Sequence, residues 1–176
     1  MISMKQPSLV MHSCDVPGYK YVMDYTFNLT QGATAIDVVN LATMVIDKMN
    51  SGNGLHNLIT NSHGSPGKIA VGGDGQKGIE PGDVAVFRPL KAKGIGKIWI
   101  VACKVGKIND PGNKAVALGL GLASEVGCPV IAGDVNQSVD SDFQGSSNPV
   151  GTIDDFEGVA YEFLPEGIIS IYSVEQ

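Results

Sequence analysis

The side chains in this sequence best suited to covalent chemistry near neutral pH are its cysteines and histidines, three of each. A thiol is a strong nucleophile only as the thiolate, and a neighbouring imidazole supplies the base or the positive charge that produces it. His63 follows the apolar run Leu55 to Ser62 and opens the tight segment His63-Gly64-Ser65-Pro66-Gly67. Cys103 closes the run Lys97-Ile-Trp-Ile-Val-Ala, which is short and almost wholly apolar. Both runs read as buried strands, and in open α/β sheets ligands gather beyond the carboxyl ends of the strands. The chain between them has room for one crossover, so the two strands can be neighbours and His63 and Cys103 a base and nucleophile. Gly64 would let the chain turn sharply and aim its N–H at a reacting carbonyl oxygen, with the Cys103 N–H as a second donor. Asp134 follows the buried run Pro129 to Gly133 at the same edge. A carboxylate there suits a substrate-binding role against Lys or Arg, or the plainer role of capping a turn.

The remaining thiols and imidazoles fit structural roles. His12 ends a first short strand near the expected site, whereas His56 begins its strand at the opposite edge. Cys128 precedes Pro129 at a strand start and reads as a core thiol, and Cys14 lies in a loop. Other chemistries lack their signatures. No Gly-x-Ser-x-Gly elbow exists for a serine esterase. Gly72-Gly73-Asp74-Gly75 does not join a strand to a helix as a dinucleotide fingerprint must. The scattered histidines offer no metal-ligand pair, and no cofactor is expected.

The elements that would position these groups alternate. Strands are expected at Ser8 to His12, within the segment Tyr19 to Leu29, and at Leu55 to Ser62, Lys68 to Val71, Lys97 to Ala102 and Pro129 to Ala132. A helix opens at Thr34, with Asp37 three residues on as a capping partner, and stops at the glycines of Ser51-Gly52-Asn53-Gly54. A second runs from Asn113 to Val126 and ends at Gly127. Gln76 to Lys93 and Gly133 to Phe156 read as irregular, and Val159 to Tyr172 as a closing hairpin around Pro165-Glu166-Gly167. The expected fold is one α/β domain over residues 1–176: a mostly parallel sheet, helices on both faces and a C-terminal hairpin.

Composition bounds the partners. With 43% hydrophobic and 17% charged residues in 176 the chain is globular rather than disordered. Twelve basic against eighteen acidic side chains, a net charge of −6, argue against nucleic acid or an anionic membrane surface. The longest apolar stretch, Ala115 to Gly133, is broken by Glu125 and Pro129, so no membrane span is expected. Three unpaired cysteines and no signal-peptide core suggest a cytoplasmic protein, or one exported by a signal-independent route.

The pattern Leu58-Ile-Thr-Asn-Ser-His63-Gly-Ser-Pro-Gly67-Lys-Ile, followed by Lys97-Ile-Trp-Ile-Val-Ala-Cys103, resembles the caspase/legumain/gingipain clan of cysteine peptidases. It is closest to bacterial branches such as the CHAT-type proteases and a related uncharacterised domain with a Ser-His-Gly-Ser-Pro-Gly motif. The resemblance spans roughly Leu55 to Asp134, under half the chain. It implies a caspase-hemoglobinase-like fold and a histidine–cysteine dyad at His63 and Cys103, with the Gly64 N–H in the oxyanion hole. It also implies a peptide or protein substrate, cleaved after a residue held in a pocket beside the dyad. Superfamilies of this kind include inactive members, so a pseudo-peptidase or interaction domain of the same fold is the competing expectation.

Overall fold

The structure is a computed structural model and describes residues 1–16, 20–138 and 149–173. Its elements, in chain order, are β1 (Ile2–Ser3), β2 (Ser8–His12), β3 (Tyr25–Asn28), α1 (Ala35–Met44), β4 (Asn57–Asn61), β5 (His63–Ser65), β6 (Lys68–Ala70), β7 (Lys97–Val101), α2 (Lys114–Val126), β8 (Val130–Gly133), β9 (Thr152–Ile153), β10 (Ala160–Phe163) and β11 (Ile169–Ile171). A wide turn, Val45–Met49, continues α1, and a tightly wound 3₁₀ stretch, Pro81–Leu90, precedes β7. One seven-stranded sheet dominates, in the order β11-β10-β8-β7-β4-β2-β3. The five strands from β3 to β8 are parallel to their neighbours, and β10 and β11 add an antiparallel hairpin. The sheet is therefore mixed.

Side chains alternate across a strand, so each parallel strand feeds two cores. Leu9, Met11, Leu58, Ile98, Ile100, Val130 and Ala132 point to one face, where they meet Val38 and Ala42 of α1, Phe87 and Leu90 of the 3₁₀ stretch, and Leu118 and Leu122 of α2. Val10, Ile59, Trp99, Val101 and Ile131 point to the other, where they meet Ile2, Met4, Tyr21, Met23 and Ile153. No helix covers that second face among the described residues. It is closed by the β1–β9 ribbon and the chain around Tyr21 and Met23.

The expectation of helices on both faces is thus corrected, and the handedness of crossovers explains why. The connections β3 to β4, β4 to β7 and β7 to β8 all step the same way across the sheet, so right-handed crossovers put all three on one face. These are the connections that carry helical residues. Only β2 to β3 steps the opposite way, and its sequence, Ser13 to Asp24 with Pro17-Gly18 in the middle, has no amphipathic helical pattern.

Most other expectations hold. Thr34 is the N-cap of α1, and the Asp37 carboxylate accepts its amide and hydroxyl, each at 2.8 Å. Gly127 ends α2 in the left-handed conformation, φ 79°. The second strand, Tyr25–Asn28, falls within the segment expected to hold one, whose first residue, Tyr19, lies outside the described residues. The loop expected from Gly133 to Phe156 falls outside them over 139–148. Pro81–Leu90, expected to be irregular, packs against both helices. Its core-facing residues Val84, Phe87 and Leu90 recur every third position, the period of a 3₁₀ helix rather than of an α-helix.

Candidate functional site

The carboxyl ends of β2, β4, β7 and β8 lie side by side, and each delivers one candidate group. β4 stops at Asn61, and the Ser62 amide adds one more bond to its neighbour, to the Val101 carbonyl at 3.1 Å. The chain then enters the β5–β6 hairpin, which turns at Pro66-Gly67. Proline before a glycine with φ 66° is the chemistry of a type II turn. The Gly67 amide reaches the Val105 carbonyl at 3.3 Å, so the hairpin is tied at both ends to the segment containing Cys103.

Between those ties sits Gly64. A Cβ built there would lie 2.5 Å from Val105 Cγ2, 2.9 Å from Ala102 Cβ and 3.0 Å from the Cys103 carbonyl oxygen. The residue is glycine because the two candidate segments touch at this point. The sharp turn expected at Gly64 falls instead at Gly67. The hairpin register also orients the Gly64 amide. In a two-residue hairpin the residues flanking the turn, Ser65 and Lys68, form the hydrogen-bonded pair, so Gly64 and Ile69 form the next, non-hydrogen-bonded one. Their amides point outward: that of Ile69 bonds the Ile79 carbonyl at 3.0 Å, and that of Gly64 is not used by β6.

The His63 ring is half exposed, at 51%. Its Nε2 lies 3.3 Å from the Asp15 carbonyl oxygen and 4.0 Å from Asp15 Oδ2. With Nε2–H donating to that carbonyl, Nδ1 carries the lone pair. Asp15 is itself held by the Ser13 hydroxyl at 2.5 Å and by the Asp74 amide. Burial pushes its carboxyl upward, but the Ser13 hydroxyl, the Asp74 amide and the charge of His63 together outweigh that and hold it below the usual carboxylate range.

Cys103 is half-buried, and its Sγ meets the loop that follows β8. The Gln137 amide donates to Sγ at 3.4 Å, and the thiol in turn lies 3.7 Å from the Gln137 carbonyl. The next residue, Lys104, has φ 59°, a left-handed conformation costly for a side chain with a Cβ. Such strain concentrates at functional turns. Its amide is fixed by the Val135 carbonyl at 2.8 Å. Along the edge the order is therefore Asp15, His63, Cys103, Gln137. Gly64 is packed against the Cys103 backbone, while the His63 side chain is bonded to Asp15 and the Cys103 side chain to Gln137, each to its outer neighbour.

No protein-family model, curated protein or solved structure matches the chain. The chemistry of the site accordingly follows from its own geometry.

Asp134 stands at the end of β8, on the same edge. Its Oδ1 accepts the Val159 amide at 2.9 Å and its own amide bonds the Val159 carbonyl at 3.0 Å, which ties the loop after β8 to the start of β10. A recess of about 90 Å³ lies beside the hairpin, lined by Gly64, Ser65, Lys68, Ala70, Asp74 and Gly75. A larger groove of about 620 Å³ sits away from this edge, around Lys97, Glu162 and Tyr172. Among the described residues no three His, Cys, Asp or Glu side chains cluster as a metal ion requires, and no helix is long and apolar enough to cross a membrane.

The other thiols and imidazoles are placed as their sequence positions suggested. Cys128 is buried at the amino end of β8, and desolvation pushes its thiol up to about 12 against a small opposing effect of Lys97. Exposed Cys14 lies 3.8 Å from the Gly72 carbonyl. His56 sits at the amino end of β4. His12 is fully buried at the carboxyl end of β2, with Nδ1 3.0 Å from Asn61 Nδ2 and Nε2 2.9 Å from the Tyr21 carbonyl. The amide can only donate and the carbonyl only accept, so the ring is neutral with its proton on Nε2.

Burial lowers the His12 pKa from its usual 6.5, the Tyr21 carbonyl draws it back up, and the charge of Lys20 adds to the lowering. The unfolded chain therefore binds this proton first as pH falls. Stability from His12 is complete above about pH 6.5 and is lost below it, by at most about 1.4 kcal/mol per unit, until the folded-state value is reached. Urea denaturation at pH 7 and pH 5 should show lower stability at pH 5, and His12→Gln should shrink the difference. An equal difference in the variant would assign it to other groups.

Asp15 and Gln137 were not anticipated. Asp15 had a signal, since it lies three residues past the end of a strand whose carboxyl edge is shared with β4. Gln137 had none, because it sits in a polar loop of Ser, Asp and Asn.

Proposed function

We propose that the chain is a cysteine hydrolase acting on peptide bonds, with Cys103 as nucleophile and His63 as base and then acid. The observation that carries this reading is the contact at Gly64. It joins the His-Gly hairpin to the strand end bearing the cysteine, at the carboxyl edge where α/β sheets place their chemistry. The order of parallel strands fits a caspase-hemoglobinase-like arrangement, and the free thiols fit a reducing compartment such as the cytoplasm.

In this reading the groups divide the chemistry between them. The Cys103 thiolate attacks the scissile carbonyl carbon, and the oxyanion that forms is met by the outward Gly64 N–H, with the Cys103 N–H as second donor. His63, whose Nε2 is anchored on Asp15, delivers the proton to the leaving amine from Nδ1, and the C–N bond breaks to leave a thioester on Cys103. Water, deprotonated by the same imidazole, then attacks the thioester, releasing the acid and the thiol. Asp15 acts through His63, as a positioning residue. Asp134 supports the edge by holding the loop after β8, and its second carboxylate oxygen is the group available to a basic substrate side chain.

A second reading has an observation of its own. His63 is hydrogen-bonded to Asp15 and Cys103 to Gln137, an arrangement that also suits a pseudo-peptidase or interaction domain. A proteome-derived peptide library decides between them. Wild-type protein should produce defined cleavage products, read by mass spectrometry, and Cys103→Ala should produce none. No products, together with alkylation of Cys103 no faster than that of exposed Cys14, would favour the non-enzymatic reading.

A further inference from the structure

We propose that Gln137 is a positioning residue for the Cys103 sulfur, holding a backbone N–H where it stabilises the thiolate. The inference rests on Cys103 being the nucleophile of the reading above. The donor is the Gln137 main-chain amide, 3.4 Å from Sγ, and any residue but proline would supply one. What the glutamine adds is its placement. Nε2 donates to the carbonyls of Val135 at 3.1 Å and Glu157 at 3.3 Å, and Oε1 accepts the Glu157 amide at 3.2 Å. Three bonds thus fold the side chain back over the end of β8. Gly133 makes room for it: a Cβ there would lie 2.6 Å from Nε2. The Glu157 segment it grips is anchored in turn, because Asp134 binds Val159 through both its amide and its carboxylate. Ser138, next in the chain, adds a bond from its hydroxyl to the Glu157 carboxylate.

Two interactions between Gln137 and the sulfur oppose each other, and their strengths decide the sign. An N–H bond to a sulfur anion is charge-assisted and roughly twice as strong as its neutral counterpart. Ionisation removes only a weak S–H donor, which faces a carbonyl 3.7 Å away. The balance favours the thiolate, provided the loop keeps its place.

The test is the pH dependence of Cys103 alkylation by iodoacetamide in the full chain, followed by mass spectrometry with Cys14 as internal reference. Gln137→Ala should move the half-maximal pH up by about one unit and slow alkylation at pH 7 about tenfold. Gln137→Glu keeps the volume but loses both Nε2–H donors, and it should shift the profile in the same direction. The near-UV signal of Trp99 checks that both variants fold. An unchanged half-maximal pH overturns the assignment. So does faster alkylation at every pH, which would make the segment a mere cover. The readout is titration, not turnover. A shifted profile in a protein that cleaves nothing would therefore support the role of Gln137 and count against the hydrolase reading alone.

Discussion

Gly64→Ala is expected to cut hydrolysis about a hundredfold and to destabilise the fold by about 1–3 kcal/mol. The methyl group has nowhere to go. Its nearest neighbours are Val105 Cγ2 at 2.5 Å, Ala102 Cβ at 2.9 Å and the Cys103 carbonyl at 3.0 Å. Val105 could change rotamer, but Ala102 and the carbonyl can yield only by moving backbone. The relief therefore comes from lifting the β5–β6 hairpin off the end of β7. That displacement stretches the ties at Ser62 and Gly67, and it carries His63 and the Gly64 N–H away from Cys103. Activity and stability should fall together in a cleavage assay and a urea titration. Gly82→Ala is the control, because nothing lies within 4 Å of its Cβ position and its φ is outside the left-handed range. Wild-type activity in Gly64→Ala would remove the contact on which the functional reading rests.

The same residue shows what the sequence could and could not convey. His63-Gly64 and Cys103 were legible as strand-end groups because short apolar runs bounded by Gly and Pro mark strands strongly. Their meeting followed from one crossover between parallel neighbours. The reason for the glycine was not legible, since close approach is a tertiary property and a turn is its commoner use. The helices were found from capping residues and periodicity, yet their placement on one face depended on the order in which strands join the sheet, which no local pattern encodes. The 3₁₀ stretch was hidden by its Gly and Pro content, although Val84, Phe87 and Leu90 carry a period of three. Asp134 shows the limit at side-chain level. Its position on the carboxyl edge was correct, but a carboxylate at a strand end serves backbone amides as readily as ligands, and here one oxygen serves Val159. Gln137 is the complementary case: its side chain matters through the backbone it positions, a role that leaves no residue-type signature.

Removing either member of the proposed dyad is expected to have the largest effect of all. Cys103→Ala should abolish cleavage to the limit of detection, because it removes the thiol that would form the covalent intermediate; Cys128 lies buried at the opposite edge with its thiol held at about 12. His63→Ala should lower the rate by about a thousandfold, within the usual range for a positioned acid–base group. The double variant should be no slower than Cys103→Ala alone, since a base without its nucleophile contributes nothing. Asp15→Asn separates the two ways in which Asp15 could act. It retains the carbonyl 3.3 Å from Nε2 and removes only the carboxylate charge 4.0 Å away. If the carbonyl orients the ring, the loss should stay near tenfold or less. A loss as large as that of His63→Ala would instead make the carboxylate the essential partner. All four variants belong in one assay with alkylation measured alongside. Readily measured cleavage by Cys103→Ala, or a wild-type rate in His63→Ala, would mean that the two residues do not act as a unit, and the dyad would have to be abandoned.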